Sequence, residues 1–250
     1  DALPIYNGKD YIIQTLESVR NQTYKDWEML IIDDASTDGG AGLVEDYLHV
    51  LDDHRIRLIK NESNKGAVET RNRGLEEATG RYITFLDSDD LWDPQKLERQ
   101  LSFLKEKKQT DSDAAFVFCE CRVIDGDGQP TGRIRRVSDT VDYRLLLKDN
   151  QIPCLTVLID RSLIDTERIK MPHIGHEDYA AWLNILKEGH KAYGQKECLA
   201  SYRVSADSLS GDKKTAARWH YEVLKSQQLS LFARIYYMIC YVIYALKKRM

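Results

Sequence analysis

The sequence lacks a cysteine framework and any apolar run long enough to cross a bilayer. Its five cysteines lie at positions 119, 121, 154, 198 and 240, a spacing that matches neither paired disulfides nor a zinc site. We therefore expect a reducing compartment. With 42% hydrophobic residues, 30% charged residues and a mean hydropathy of −0.49, the chain is neither disordered nor a multi-span membrane protein.

The longest apolar run, Ile235–Leu246, is followed by Lys247, Lys248 and Arg249. A spanning helix needs about 20 apolar residues, and shorter runs are typical of buried or interfacial helices. The first residues, Asp-Ala-Leu-Pro, have neither the basic region nor the apolar core of a signal peptide. We expect a cytoplasmic protein without a transmembrane helix.

Charge is distributed unevenly along the chain. Residues 213–250 contain eight basic residues and one acidic residue, Glu222, and therefore have a net charge of +7. The total of −4 leaves −11 for residues 1–212. Two interpretations of the basic, tyrosine-rich segment stay open. It is a helix that packs on the domain or on a dimer partner, or it attaches the protein to the anionic inner face of the plasma membrane.

The first half of the chain alternates short apolar runs with helical patterns, which predicts a parallel sheet covered by helices. The predicted strands are Met29–Ile32, Arg57–Ile59 and Tyr82–Leu86, and the predicted helices are 9–21, 41–52 and 66–78. In the second half, the predicted helices are 95–107 and 177–188, and the strands are Ala114–Val123, Leu155–Ile159 and Ala200–Val204. Ser205–Asp212 reads as a loop, and the helical pattern then continues from Lys213 to the end.

Polar clusters follow the first three predicted strands, where ligands bind in open α/β sheets. Asp87-x-Asp89 suits a hard divalent cation such as Mg²⁺ or Mn²⁺ bound together with substrate phosphates, or else a solvated turn. For Asp90 we favour the turn. Glu177 and Asp178 open a predicted helix, where the dipole stabilises carboxylates, although a general base is the alternative.

Other positions have equally plain alternatives. In Asp33-Asp34-Ala-Ser-Thr-Asp38, the later residues are ordinary helix N-caps, or else one carboxylate accepts a hydrogen bond from a nucleobase. Arg71 is an ordinary helix residue, or else it faces a base or a phosphate. Tyr179 and Trp182 favour the core. The candidate functions are a metal-dependent inverting glycosyltransferase, a nucleotidyltransferase or phosphohydrolase that uses the same acidic edge, and a non-catalytic membrane-binding module.

Taken in order, these motifs resemble the family 2 glycosyltransferases over residues 2 to about 215. The matching motifs are Pro4-x-Tyr6-Asn7-Gly8, Ser18-Val-x-Asn21-Gln22-Thr23, Asp33-Asp34-x-Ser36-x-Asp38, Asn64-x-Gly66 with Arg71-Asn72-x-Gly74, Phe85-Leu-Asp87-Ser-Asp89-Asp90, and Glu177-Asp178 with Trp182. Tyr202-Arg203-Val-Ser205-x-x-Ser208-x-Ser210 and the basic tail look most like bacterial enzymes of teichuronic-acid and capsule synthesis.

The resemblance implies a GT-A fold, an α/β architecture with a Rossmann-like mixed sheet flanked by helices, followed here by a C-terminal amphipathic helical tail. The implied domain is 1–212, with a nucleotide-sugar half at 1–110 and an acceptor half at 111–212, and the tail is 213–250. The implied reaction is inverting transfer of a sugar from a nucleotide-diphosphate sugar, commonly UDP-linked. The acceptor is a hydroxyl of a glycan or polyprenyl-linked molecule, and no nucleic-acid partner is expected.

The resemblance also assigns roles to residues of this sequence. Asp178 is the implied general base, Asp89 the implied ligand of Mn²⁺ or Mg²⁺, and Glu177, Trp182 and Ser208 belong to the acceptor side. The implied donor-binding residues are Pro4, Tyr6, Asn7, Asp34, Arg71, Asp87, Ser88 and Arg203. Two departures stand out: Ser205 occupies a position where many relatives have a metal-binding His, and only Ala2-Leu3 precedes Pro4, where relatives have a longer apolar strand.

Overall fold

A computed structural model describes residues 2–204 and 213–247 of the chain. Its strands are β1 Ala2–Ile5, β2 Met29–Asp33, β3 Ile56–Lys60, β4 Tyr82–Ile83, β5 Leu91–Trp92, β6 Phe116–Ile124, β7 Pro130–Arg135, β8 Thr140–Val141, β9 Leu158–Asp160 and β10 Ala192–Arg203. Its helices are α1 Ile12–Arg20, α2 Gly40–Leu51, α3 Ala67–Glu77, α4 Lys96–Lys107, α5 Tyr143–Leu146, α6 Thr166–Ile169, α7 Glu177–Lys187, α8 Lys213–Ser226 and α9 Leu231–Lys247.

The strands form two sheets. Strands β1, β2 and β3 are parallel neighbours in that order, with Ile5 opposite Asp33 and Asp33 opposite Lys60. The second sheet has the order β4-β9-β6-β10-β5, with β7 beside β6 and β8 beside β10. Its pairing is mixed, because β6 and β10 are parallel whereas the other paired strands are antiparallel. A mixed α/β fold is what the sequence predicts.

Helix α7 lies at the centre of the larger core cluster. Trp182 is fully buried, 6.0 Å from the ring of Phe85 and 5.3 Å from that of Phe116. Tyr179 is buried in the same cluster. The predicted preference of both side chains for the core is therefore confirmed. Strand β2 contributes Leu30 and Ile32 to this cluster, and Met29 and Ile31 to a second cluster with α1.

Four predicted elements differ from the structure. The strand predicted at Leu155–Ile159 is Leu158–Asp160, because Cys154–Thr156 form a short 3₁₀ helix. Of the apolar run Tyr82–Leu86, only Tyr82 and Ile83 form a strand, although Phe85 and Leu86 are buried as well. The last strand begins at Ala192 rather than Ala200, and its pairing with β6 shifts register between Gln195 and Cys198. The helical pattern after Lys213 is interrupted at residues 227–230, where Gln228 adopts a positive φ of 59°.

The segment after residue 212 packs on the domain instead of extending from it. Val223 and Leu224 of α8 are fully buried in the larger core cluster, and Tyr237 and Met238 of α9 pack against that cluster. Among the described residues, no helix is both long enough and apolar enough to cross a membrane.

Candidate active site

A cleft with a volume of about 1110 Å³ lies at the carboxyl ends of β1 and β2 and at the amino end of α7. It gathers most of the predicted site residues: Pro4, Tyr6, Asp34, Arg71, Asp87, Ser88, Asp89, Glu177, Asp178 and Arg203. Asn7 and Trp182 do not line it, and Ser208 lies outside the described residues. The topology thus brings together side chains from six separate parts of the sequence.

The loops after β1 and β2 are tied to each other by Asn7. Its backbone N–H donates to Ser36 Oγ at 3.1 Å, and its Oδ1 accepts from Thr37 N at 2.9 Å. Asn7 adopts a left-handed φ of 53°, which asparagine tolerates better than most residues. Tyr6 remains 54% exposed on the cleft wall, so its ring is free to stack on a planar ligand.

Asp34 organises the loop before α3. Its carboxylate accepts hydrogen bonds from Asn61 Nδ2 at 2.7 Å, Lys65 N at 2.9 Å and Gly66 N at 2.8 Å. Burial alone raises the pKa of Asp34, but these hydrogen bonds outweigh it and hold the pKa below its ordinary value. The group is therefore an anion at the cleft wall, with acceptor capacity beyond these three bonds.

Arg71 connects two carboxylates that are far apart in the sequence. Its Nη1 donates to Glu177 Oε1 at 2.5 Å, and its Nη2 donates to Asp87 Oδ1. Burial lowers the pKa of a guanidinium, but the charges of Asp87 and Glu177 and the hydrogen bond to Asp87 together outweigh that effect and hold the pKa of Arg71 above its ordinary value. Arg71 Nε is buried and has no hydrogen-bond partner among the residues that the structure describes.

The turn after β4 presents Asp89 to the cleft and turns Asp90 inward. Burial and the charge of Asp87 raise the pKa of Asp89. Asp90 is only 1% exposed, and its Oδ1 accepts from Arg203 N at 2.8 Å. The interpretation of Asp90 as a solvated turn residue is therefore wrong, because this carboxylate joins the turn to the end of β10.

Arg203 is fixed from several directions. Its guanidinium donates to Asp89 O at 2.7 Å, Gly126 O at 2.9 Å and Gln14 Oε1 at 3.1 Å, and lies 4.3 Å from the centre of the Tyr11 ring. Such a side chain, 3% exposed, is a rigid part of the cleft wall. It sets the positions of the Asp89 backbone and of the loop after β6.

Asp178 lies in the first turn of α7. Burial first, and the neighbouring Glu177 second, raise the pKa of Asp178 to about 7. Its Oδ1 accepts from Tyr179 N at 2.6 Å. The preceding residue, His176, has a left-handed φ of 57°, an uncommon conformation at the start of a helix. A carboxylate in a cleft whose pKa is close to 7 can accept a proton from a bound hydroxyl at neutral pH.

Trp219 and Glu222 of α8 form a further part of the cleft that the sequence motifs do not indicate. A Cβ atom at Gly175 would lie 2.1 Å from the Trp219 ring, so this close approach requires glycine. The ring of His176 meets Trp219 edge-on at 5.5 Å. The indole is thereby held against Gly175 and His176, the two residues that directly precede α7.

Within residues 2–204 and 213–247, no three His, Cys, Asp or Glu side chains converge as a protein-only metal site. The donor set instead offers Asp89, a carboxylate whose pKa is raised by burial first and by the charge of Asp87 second, and a bound cation would offset both effects. Mg²⁺ and Mn²⁺ accept one or two carboxylates plus substrate phosphates. The residues present fit a divalent cation that a diphosphate helps to hold.

Comparison with known proteins gives a consistent result. The model of glycosyl transferase family 2 matches residues 2–160. The chain is 40% identical over 249 residues to TuaG of Bacillus subtilis (strain 168), named as a candidate teichuronic acid biosynthesis glycosyltransferase, covering 99% of this chain and 95% of that protein. It is 35% identical over 247 residues to WfgD of Escherichia coli, covering 98% and 92%. WfgD is named as a UDP-Glc:alpha-D-GlcNAc-diphosphoundecaprenol beta-1,3-glucosyltransferase.

Solved structures agree on the fold. TarS 1-349 of S. aureus in complex with UDP-GlcNAc has a TM-score of 0.69 at 20% identity, covering 89% of this chain and 63% of that one. The mannosyltransferase PcManGT of Pyrobaculum calidifontis, in complex with GDP-Man and Mn²⁺, has a TM-score of 0.67 at 20% identity, covering 91% and 63%. The chain thus spans about 63% of either structure. The likeness confirms the expected GT-A type of α/β fold.

Proposed function

Because this chain belongs to glycosyl transferase family 2, we propose that it transfers a sugar from a UDP-sugar to a hydroxyl of a polyprenyl-linked glycan. The proposed setting is the synthesis of a cell-surface polysaccharide. The observation that supports it best is one cleft in which the exposed ring of Tyr6, the anionic Asp34 and a carboxylate with a pKa near 7, Asp178, lie together. Relatives named for teichuronic acid and diphosphoundecaprenol acceptors support the choice of acceptor.

The donor would bind along the wall formed by Tyr6 and Asp34. Tyr6 offers an exposed ring to a nucleobase, and Asp34 offers an anionic acceptor for an imide N–H. Uracil has such an imide, and the structural neighbour TarS is bound to UDP-GlcNAc. Asp87, held by Arg71, would face the ribose hydroxyls. Pro4 and Ser88 would complete this wall.

Asp178 would act as the general base. In the transfer step its carboxylate takes the proton from the acceptor hydroxyl, whose oxygen forms the new bond to the anomeric carbon. The bond from that carbon to the donor diphosphate breaks, and its electron pair leaves with the diphosphate. Attack from the face opposite the leaving group inverts the anomeric centre. A base with a pKa of about 7 matches a neutral working pH.

Arg71 positions this machinery by neutralising Glu177 and Asp87. Without it, four carboxylates would face one another where an anionic donor must also bind. Asp89 would hold a divalent cation together with the diphosphate, and such a cation neutralises the charge that builds on the leaving group. Trp219, packed on the residues that directly precede α7, would offer an apolar face to the acceptor sugar.

The test compares wild type with Asp178→Asn on a panel of nucleotide-sugars with a polyprenyl-linked acceptor. We expect the variant to lose transfer by roughly 100-fold or more, since general bases contribute about 10²–10⁴-fold. Calorimetric binding of UDP with Mn²⁺ should stay within about twofold, because Asp178 contacts the acceptor rather than the nucleotide. Asp46→Asn, an exposed carboxylate on α2, is the matched control. Full transfer by Asp178→Asn would remove the base assignment, and sugar phosphate release without glycoside would remove the proposed function.

A further inference from the structure

Helix α9 presents an unusually apolar face to solvent. Eight of its large side chains are exposed, and Phe232 reaches 85%. They are Leu231, Phe232, Ile235, Tyr236, Ile239, Val242, Ile243 and Leu246. At about 100° per residue they occupy one arc of roughly 140°, along a helix about 25 Å long. A continuous apolar patch of this kind marks an interaction surface.

The opposite face of α9 is fixed to the domain, so the exposed face is a stable feature of the fold. Tyr241 stacks on His220 with ring centres 4.1 Å apart, and His220 in turn lies 5.2 Å from Tyr179 of α7. Arg234 donates to the Tyr221 hydroxyl at 3.1 Å. The helix therefore cannot rotate its apolar arc inward without breaking these contacts.

The charges in the sequence of this segment favour an anionic lipid surface over a second copy of the chain. The sequence from Leu231 to Met250 contains no acidic residue and four basic ones: Arg234, Lys247, Lys248 and Arg249. Two copies joined through a symmetric contact would bring two such segments together, which like charges oppose. An anionic membrane instead attracts the basic segment, while the acidic remainder of the chain is repelled and stays in solution.

The position of α9 relative to the cleft gives such docking a purpose. Helix α9 packs on α8, which supplies Trp219 and Glu222 to the cleft, and the ring stack from Tyr241 reaches α7 one residue from Asp178. We infer that the exposed face of α9 is a docking surface for an anionic bilayer, which presents the lipid-linked acceptor to the Asp178 side of the cleft. The use of the bilayer as acceptor source rests on the proposed function.

The test measures flotation of the full chain with vesicles of phosphatidylcholine alone, or mixed in equal parts with phosphatidylglycerol. We expect wild type to float with the mixed vesicles and to be released by high salt. The triple variant Phe232→Ser, Ile239→Ser, Ile243→Ser should bind the mixed vesicles roughly tenfold or more weakly. It removes three large apolar side chains from the face that would contact the bilayer. The control, Leu43→Ser, Val50→Ser, Leu163→Ser, removes three exposed apolar side chains elsewhere and should bind like wild type.

Both variants are first checked for an unchanged unfolding transition and for unchanged release of UDP with a water-soluble acceptor. That assay separates the two proposals, because its failure in wild type would count against the proposed function and leave the vesicle result intact. Equal flotation of all three proteins would overturn the docking surface. So would a wild-type dimer in size-exclusion chromatography that the α9 variant loses, with no vesicle binding by either protein.

Discussion

At the scale of single residues, the cleft gathers several carboxylates, and its surroundings favour the protonated form of three of them. Asp178, Asp89 and Asp90 all have a raised pKa, and burial is the first cause in each case. Arg71 offsets the two carboxylates it touches, and no ion pair to Asp178 exists within the part of the chain that the structure describes. A partly buried carboxylate without such a pair weakens the folded state whenever it must ionise, which is a frequent cost of a functional site.

The stability of Asp178→Asn should therefore depend on pH. In the unfolded chain Asp178 ionises near pH 4, whereas in the folded protein it keeps its proton until about pH 7. Wild type thus loses stability as pH rises between these values, and the variant does not. We expect the free energy of unfolding of Asp178→Asn to exceed that of wild type by roughly 2–4 kcal/mol at pH 8, which raises its unfolding temperature. At pH 4 the two proteins should unfold alike. Equal thermal unfolding at pH 8 would contradict the raised pKa.

Trp219 should affect acceptor use and not donor use, because it packs on Gly175 and His176, directly before the helix that carries Asp178. Trp219→Ala is expected to raise the KM for the acceptor by roughly tenfold, on the order of one aromatic contact. The KM for the donor should change little, and Trp219→Phe should recover most of the loss. Steady-state kinetics with each substrate varied in turn provide the measurement. A donor KM that rises in parallel would place Trp219 on the nucleotide wall instead.

At the scale of elements, Asp160, which is not among the residues that line the cleft, joins strand β9 to the end of helix α4. Its fully buried carboxylate accepts from Arg81 Nη2 at 2.8 Å and from Lys108 Nζ at 2.5 Å. Burial raises the pKa of Asp160, but the hydrogen bonds from Arg81, Lys108 and Ser162 outweigh it and hold the pKa well below its ordinary value. Strand β9 and helix α4 are thereby connected through a single side chain.

Asp160→Asn should lower the free energy of unfolding by about 3–5 kcal/mol at pH 7, because it leaves two cations beside a neutral amide. Since the pKa of Asp160 is depressed in the folded state, its contribution is present above about pH 4 and lost as pH falls below that value. The difference in the free energy of unfolding between Asp160→Asn and wild type should therefore become smaller as pH falls below about 4. Asp139→Asn, which breaks an exposed pair with Lys196, should leave the free energy of unfolding close to that of wild type in the same urea titrations.

The elements show where sequence patterns suffice and where they fail. Helices α1 to α4 and α7 were predictable because their apolar spacing is local. The early start of β10 was not, since the bulge after Gln195 breaks the alternation that marks a strand. The ion pair of Arg71 with Glu177 could not be predicted from local patterns either, because the two residues are far apart in the sequence. Trp219 gave no signal, since one aromatic residue in a basic helix has no motif around it.

At the scale of the whole molecule, the acidic and basic parts of the chain are one folded unit. Val223 and Leu224 of α8 share a core cluster with Tyr179 and Trp182 of α7. The predicted boundary at residue 212 therefore separates an acidic from a basic part of the sequence, but residues on both sides of it share one hydrophobic core cluster. The basic segment stabilises the helix that bears Asp178 as well as offering its own exposed face.

Deleting residues 213–250 should consequently destabilise the remaining chain. Loss of two fully buried aliphatic side chains alone removes roughly 3–6 kcal/mol, a large part of the 5–15 kcal/mol typical of a domain. We expect a lower unfolding temperature and poor solubility, measured by thermal unfolding and by the soluble yield. A chain that lacks only residues 248–250 is the control. An unchanged unfolding temperature for the long deletion would show that α8 and α9 are dispensable for the core.

The parallel pairing of β6 with β10 has a consequence for synthesis on the ribosome. Ala192 pairs with Phe116, and the end of β10 at Arg203 fixes the backbone of Asp89. At about 5–20 residues per second, β6 waits several seconds for its neighbour. During that interval the nascent chain has an apolar edge without a partner. The nucleotide wall and the acidic turn can take their final arrangement only after β10 emerges, so chaperone protection should matter most in this interval of translation.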